Sequence, residues 1–231
     1  MRRSIAAVLA VAALAVALPV VASATHKPGH QQGGGGGGPT AAPTIDISAR
    51  PSTTIFRGST VISGRRTGAN SANKLITLRI DQYPFLGGRA VATTRTDKNG
   101  RYSFTARPPK NTLYRVVSSE VGPDIQSALT RVNVRIRMSL ILSDYTPRSG
   151  QLVRFRGRAC PTHDGLTVKI QKRTATGSFR TIRRTRLQPA QRCSIYSRRI
   201  RLFRDNTFRV TADDRDHARG FSLTDTVNAH R

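Results

Sequence analysis

The sequence predicts an all-β protein of two tandem β-sandwiches, and three observations point there. Apolar and polar or basic residues alternate in short runs. Gly, Asn, Asp and Pro clusters separate those runs. One order of runs occurs twice, at an offset near 90 to 94 residues. No stretch shows a convincing helical periodicity.

The alternation is clearest in Arg131-Val132-Asn133-Val134-Arg135-Ile136 and in Leu152-Val153-Arg154-Phe155-Arg156. Each predicts a strand with one buried face and one wet, Arg-bearing face. The repeat supplies the architecture. Gly58-Ser59-Thr60-Val61-Ile62-Ser63-Gly64-Arg65 corresponds to Gly150-Gln151-Leu152-Val153-Arg154-Phe155-Arg156-Gly157-Arg158. Leu75 to Ile80 corresponds to Gly165 to Ile170, and Arg101-Tyr102-Ser103-Phe104 to Ile195-Tyr196-Ser197-Arg198. Asn111-Thr112-Leu113-Tyr114-Arg115-Val116 matches Asp205-Asn206-Thr207-Phe208-Arg209-Val210. A period of that size, with about seven strands per copy, is that of one immunoglobulin-like sandwich. The copies are assigned to residues 45–136 and 137–231, and the first is expected to fold alone.

Together with Thr112-Leu113-Tyr114-Arg115-Val116, the opening Gly-x-x-Val…Gly-Arg strand and Thr96-Asp97-Lys98-Asn99-Gly100-Arg101-Tyr102-Ser103-Phe104 resemble the bacterial immunoglobulin-like domains of secreted actinobacterial proteins. The same stretch is similar to carboxypeptidase-regulatory-like and fibronectin type III-like sandwiches. The resemblance covers roughly residues 45 to 231 and implies an extracellular, non-catalytic role. It carries over no functional residue. The second copy departs from it at Ala190-Gln191-Arg192-Cys193-Ser194, where the turn is replaced.

Residues 1–24 read as a signal peptide. Arg2 and Arg3 are the positive end, Ile5 to Leu18 the apolar run, and Ala22-Ser23-Ala24 the small-residue site that places cleavage between Ala24 and Thr25. Residues 25–44 read as a flexible linker, with six consecutive glycines from Gly33 to Gly38 and prolines at Pro28, Pro39 and Pro43. His26 and His30 lie in it as ordinary linker polarity. No later apolar run is long enough to span a membrane, so the mature chain is expected to be secreted and extracellular.

Export makes the cysteine pair informative. Cys160 and Cys193 are the only two, and an even count in an exported chain predicts a disulfide. Cys160 follows the second strand of its copy and Cys193 precedes the fifth. Those strands are antiparallel neighbours in an immunoglobulin-like sheet.

Asp97-Lys98-Asn99-Gly100 reads as a hairpin turn with Gly100 at positive φ, since a calcium loop needs more acidic ligands and a terminal Glu. Asp213-Asp214-Arg215-Asp216-His217 is the densest acidic cluster. It could take a cation, or His217 a proton, but the simpler reading is a solvated loop that balances nearby Arg. His163-Asp164 reads the same way. The sequence has no Gly-x-Ser-x-Gly, no His-Glu-x-x-His and no phosphate loop, and it assigns no catalytic residue, metal or cofactor.

Charge is the strongest compositional signal. The chain of 231 residues carries a formal +27, from 39 Lys and Arg against 12 Asp and Glu. Residues 45–136 contribute +10 and residues 137–231 +14. Genome composition and a polyanion-binding surface both produce such an Arg bias, because the guanidinium fork matches phosphate and carboxylate geometry. The candidates are Arg154, Arg156, Arg158, Arg183, Arg184, Arg186, Arg198, Arg199, Arg201 and Arg204, with Arg199 and Arg201 assigned to opposite sides of one strand. Export and the 6% aromatic content argue against a nucleic-acid target. The expected function is a non-catalytic binding module for an anionic cell-envelope polymer or an extracellular protein. The alternatives are a secreted enzyme or enzyme-accessory subunit, and a structural spacer.

Overall fold

The computed structural model describes residues 42–119 and 123–230. The expected signal peptide, its Ala24–Thr25 cleavage point and the linker as far as residue 41 lie outside the described residues. Among the described residues every regular element is a strand, and no helix is long and apolar enough to cross a membrane.

The first half builds two sheets. β1 (Ser48–Arg50), β3 (Thr60–Arg65) and β6 (Arg101–Ala106) form one. The other runs β2 (Thr53–Ile55), β9 (Thr130–Arg135), β7 (Thr112–Ser118), β4 (Leu75–Gln82) and β5 (Arg89–Arg95), with β8 (Ile125–Gln126) on β7. β2 lies parallel to β9 while the other pairs are antiparallel. The leading segment thus starts in one sheet and crosses to the last strand of the other, in the immunoglobulin-like order.

The second half repeats this plan. β10 (Arg137–Met138) and β11 (Ile141–Leu142) pair with β12 (Gln151–Cys160), which pairs with β15 (Ser194–Leu202). Opposite, β14 (Phe179–Arg186), β13 (Thr167–Arg173) and β16 (Asn206–Ala212) lie side by side, with β17 (Gly220–Phe221) and β18 (Asp225–Val227) on β16. Alternation drives the burial. Val153 and Phe155 point inward and are fully buried, while Arg154 and Arg156 point outward. Phe155 meets Phe208 of the facing sheet edge-on, ring centroids 5.1 Å apart. Ile62, Ile76, Val116 and Val132 form a separate cluster in the first half. Ile136, the last residue assigned to the first copy, packs in the second cluster. The described residues nonetheless form one compact unit.

Matching side-chain contacts recur in the two halves, 93 to 95 residues apart. The Tyr102 hydroxyl donates to the Asp46 carbonyl, and that of Tyr196 to the Ser139 carbonyl at 2.6 Å. Each passes over a glycine of the intervening strand. A Cβ on Gly64 would overlap the Asp46 carbonyl and the Tyr102 hydroxyl, and one on Gly157 the Ser139 carbonyl and the Tyr196 hydroxyl. Arg65 N–H donates to the Asp46 carboxylate, as Arg158 N–H does to the Ser139 hydroxyl. Val116 N–H donates to Ser127 Oγ, and Val210 N–H to Ser222 Oγ. Burial lifts the Tyr102 and Tyr196 hydroxyls well above the usual tyrosine range, so they stay protonated donors.

Two sequence expectations change in detail. Gly100 does take a positive φ of 75°, and the Asp97 carboxylate accepts from Asn99 and Arg101 N–H. The turn is not a hairpin, however, because β5 pairs with β4 and β6 with β3, so it carries the chain from one sheet to the other. Cys160 is the last residue of β12 rather than beyond it. Ala159 pairs with Ser194, which sets Cys160 beside Cys193, and the two form a disulfide. In the same region Gln188 and Ile195 exchange backbone hydrogen bonds, which closes the loop that departs from the repeat.

Two outcomes follow for stability. Gly157→Ala is expected to destabilise the protein by about 1–3 kcal/mol through overpacking, seen as a lower Tm; an unchanged Tm would show that the first strand yields without cost. Unreduced, denatured protein is expected to show no reactive thiol. Replacing both cysteines by Ser is expected to cost about 3 to 4 kcal/mol in the chain-entropy model, for a loop whose ends are 33 residues apart; thiol labelling and thermal melts check both.

Candidate functional site

All ten candidate Arg residues are exposed, but they do not form one patch. Strand register sorts them. Arg154 lies directly opposite Arg199, Leu152 opposite Arg201, Arg156 opposite Ser197 and Arg158 opposite Ile195. Arg154, Arg156, Arg158, Arg199 and Arg201 therefore share the outer face of the β12–β15 sheet, joined by Arg137 at its end. Arg199 and Arg201 are on the same side, not opposite sides, because residues two apart on a strand point the same way. Arg184 and Arg186, opposite Lys169 and Thr167, occupy the outer face of the other sheet. Arg198 and Arg183 sit in inward-facing rows, opposite Phe155 and Ile170, and reach solvent because β15 and β14 are edge strands. Arg204 lies in the turn after β15.

The outer face of the β12–β15 sheet has one sign of charge. None of β10, β11, β12 and β15 contains Asp or Glu. Spacing on such a sheet is about 5 Å between strands and about 7 Å between alternate residues along one. Arg201 donates to the Gly150 carbonyl at 2.7 Å and Arg137 to the Phe56 carbonyl at 3.1 Å. The ion pairs among the described residues involve Asp213, Asp214 and Asp216 instead. Exposed Ile141, Leu152 and Ile195 are interleaved with the guanidinium groups.

Beside this face, at the open edge between β14 and β15, is a cleft of about 440 Å³. Lys172, Arg183 and Arg204 rim it, and Ile200, Phe203 and Phe208 line it. A wider cleft of about 780 Å³ in the first half carries both signs, with Asp46 and Asp97 among Arg65, Arg95 and Arg101. Backbone N–H donation from Arg101 holds the Asp97 carboxyl below its ordinary value.

The cluster from Asp213 to His217 is only partly solvated: Asp214 and Arg215 are exposed and Asp213 lies beside Lys169 and Arg219, but His217 is buried. The loop meets the first half through His217 and Asp216, and both His217 and His163 are buried. His217 Nε2 donates to the Pro109 carbonyl at 2.8 Å, and its Nδ1 lies 2.8 Å from the Asp216 carboxylate. The ring stands perpendicular to that of His163, centroids 4.9 Å apart. Asn111 fixes the same junction. Its N–H donates to the Asp216 carbonyl, its Nδ2 to the Arg215 carbonyl, and its Oδ1 accepts from Val134 N–H. Ala218 N–H donates to Val134 and Ile136 N–H to Ala218. Solvation does not describe His163 either: burial, then the nearby His217, push its pKa below the ordinary histidine value against the pull of Asp216 and Asp214. Sequence spacing gives no hint that residues 163 and 217 meet, since each sits in a separate loop.

No known protein family and no curated protein matches the sequence. Among solved structures the chain is similar to the teleost fish polymeric Ig receptor (pIgR) ectodomain, at 8% identity and a TM-score of 0.35, over 80% of this chain and 98% of that one. The immunoglobulin-like assignment rests on the strand pairing above.

Asn111→Ala removes a buried acceptor and a donor at the junction. The expected cost is about 1–3 kcal/mol, read as a lower Tm; a melt that matches wild type would mean the junction contributes little to stability.

Proposed function

We propose that this is a non-catalytic, extracellular binding module whose outer β12–β15 face takes an anionic polymer of the cell envelope. One observation carries the reading: a sheet face with six arginines, Arg137, Arg154, Arg156, Arg158, Arg199 and Arg201, and no acidic residue on its strands. Like charges directly opposite on neighbouring strands, as Arg154 and Arg199 are, destabilise a sheet. A bound polyanion relieves that repulsion and gains charge-assisted hydrogen bonds. A flat, extended face suits a linear polymer better than a small molecule, which needs a concave pocket. The interleaved aliphatic side chains add contact without adding negative charge. The disulfide supports an oxidising compartment.

Arg154, Arg156, Arg158 and Arg199 replaced together by Gln should weaken binding to heparin or teichoic acid at least about tenfold at low salt, at a few tenths of a kcal/mol per exposed contact. Wild-type binding should also fade as the Debye length falls from about 10 Å at 0.1 M to about 3 Å at 1 M salt. The pair Arg184→Gln and Arg186→Gln, on the other sheet, should leave retention near wild type. If the fourfold variant elutes with wild type, the Arg face is compositional and the reading is wrong.

A further inference from the structure

We infer that the junction between the two halves is a binding site for one divalent transition-metal ion, held by His163, His217 and the Asp216 carboxylate. The Pro109 carbonyl only accepts, so the hydrogen on His217 Nε2 is directed to it. In a neutral ring Nδ1 is then a lone pair, and it lies 2.8 Å from an Asp216 carboxylate oxygen, which also only accepts. A metal ion ligated by both groups would satisfy both lone pairs, as would a proton on Nδ1.

His163 presents the same pattern. Its Nδ1 lies 3.3 Å from the Asp214 carboxylate, so that nitrogen carries the hydrogen. Its Nε2 is then a bare acceptor. The side chain is only 4% exposed, and Nε2 has no hydrogen-bond partner. A buried polar atom with no partner is costly and calls for an explanation such as an ion. One ligand atom from each of His163, Asp216 and His217 lies within 4.8 Å of the other two.

The surroundings fit a metal. Each ring gives its other N–H to an oxygen, one from a carboxylate and one from a backbone carbonyl, which is how metal-ligating histidines are oriented. Two imidazoles and one carboxylate suit zinc-like ions, which leave a further position for water, and not calcium or magnesium, which take oxygen ligands. The Asp216 side chain is 33% exposed, which gives an ion a way in. A bound ion would join the loop of His163 to that of Asp216 and His217, which already donates to Pro109 of the first half. This inference is independent of the polyanion reading, since it uses none of the same residues.

The test is calorimetric titration of chelator-stripped, disulfide-bonded full chain with Zn²⁺, and visible absorption with Co²⁺. One ion per chain, Co²⁺ d–d bands and a higher Tm are expected. His163→Gln and Asp216→Asn should abolish binding, and Asp214→Asn should weaken it about 10–100-fold. The double variant His26→Gln and His30→Gln should bind as wild type, which separates this site from the linker histidines. Absence of binding would mean that the gap holds a proton alone and overturns the inference. So would unchanged binding in Asp216→Asn, or its loss in the linker variant. If His163→Gln fails to fold, Asp216→Asn decides, since it is isosteric and partly exposed.

Discussion

Each half depends on one buried contact, a tyrosine hydroxyl that crosses a glycine to reach the carbonyl of the leading strand. Tyr102 to Asp46 ties the leading segment, β3 and β6 together from inside, and Tyr196 to Ser139 does the same for the leading segment, β12 and β15 of the second half. The contact is possible only because Gly64 and Gly157 have no Cβ in the path. A hydroxyl buried there without an acceptor would cost free energy, so the carbonyl, the glycine and the tyrosine specify one another. The leading strand is thereby fixed on its sheet, and the polar side chain at the same residue, Asp46 or Ser139, accepts a strand N–H as well.

That anchoring decides what remains free. With β10 and β11 held along one edge of β12 and β15 paired along the other, the outer side of this sheet is left exposed among the described residues. The loop from Asp213 to Ala218 is used differently. It meets the first half at Asn111 and Pro109, and the connecting strand passes from Val134 to Ile136 within that contact. Gly220 lets it come close, since a Cβ there would overlap the Ile136 carbonyl. The loop end that immunoglobulin-like domains often leave open for ligands is therefore occupied in the second half.

The Arg face has a cost that the rest of the structure does not offset. Acidic groups that could neutralise it are drawn to the junction, where Asp213 pairs with Lys169 and Asp214 faces His163. The separation leaves positive charge concentrated on a flat surface and negative charge beside buried histidines. Such a surface attracts anions from a distance and prefers extended ones, and the same exposed Arg rows discourage edge-to-edge aggregation of β15.

The sequence by itself determined the all-β class, the alternation of strands such as β12, the repeated order of runs and the cysteine pair. Those follow from local rules: a period of two assigns Val153 and Phe155 inward and Arg154 and Arg156 outward whatever the neighbours are. The repeat reached even to Gly64 with Gly157 and Tyr102 with Tyr196, although the hydrogen bond they serve was not visible in it. The tertiary structure alone decided which charges share a face and which loops touch. Register set Arg154 against Arg199 and turned Arg198 toward the interior side. The turn at Gly100 proved to join two sheets, because pairing partners are chosen by the packed core and not by the turn. His163 meets His217 only in the packed fold, since a contact between two loops from different strands has no local period to announce it.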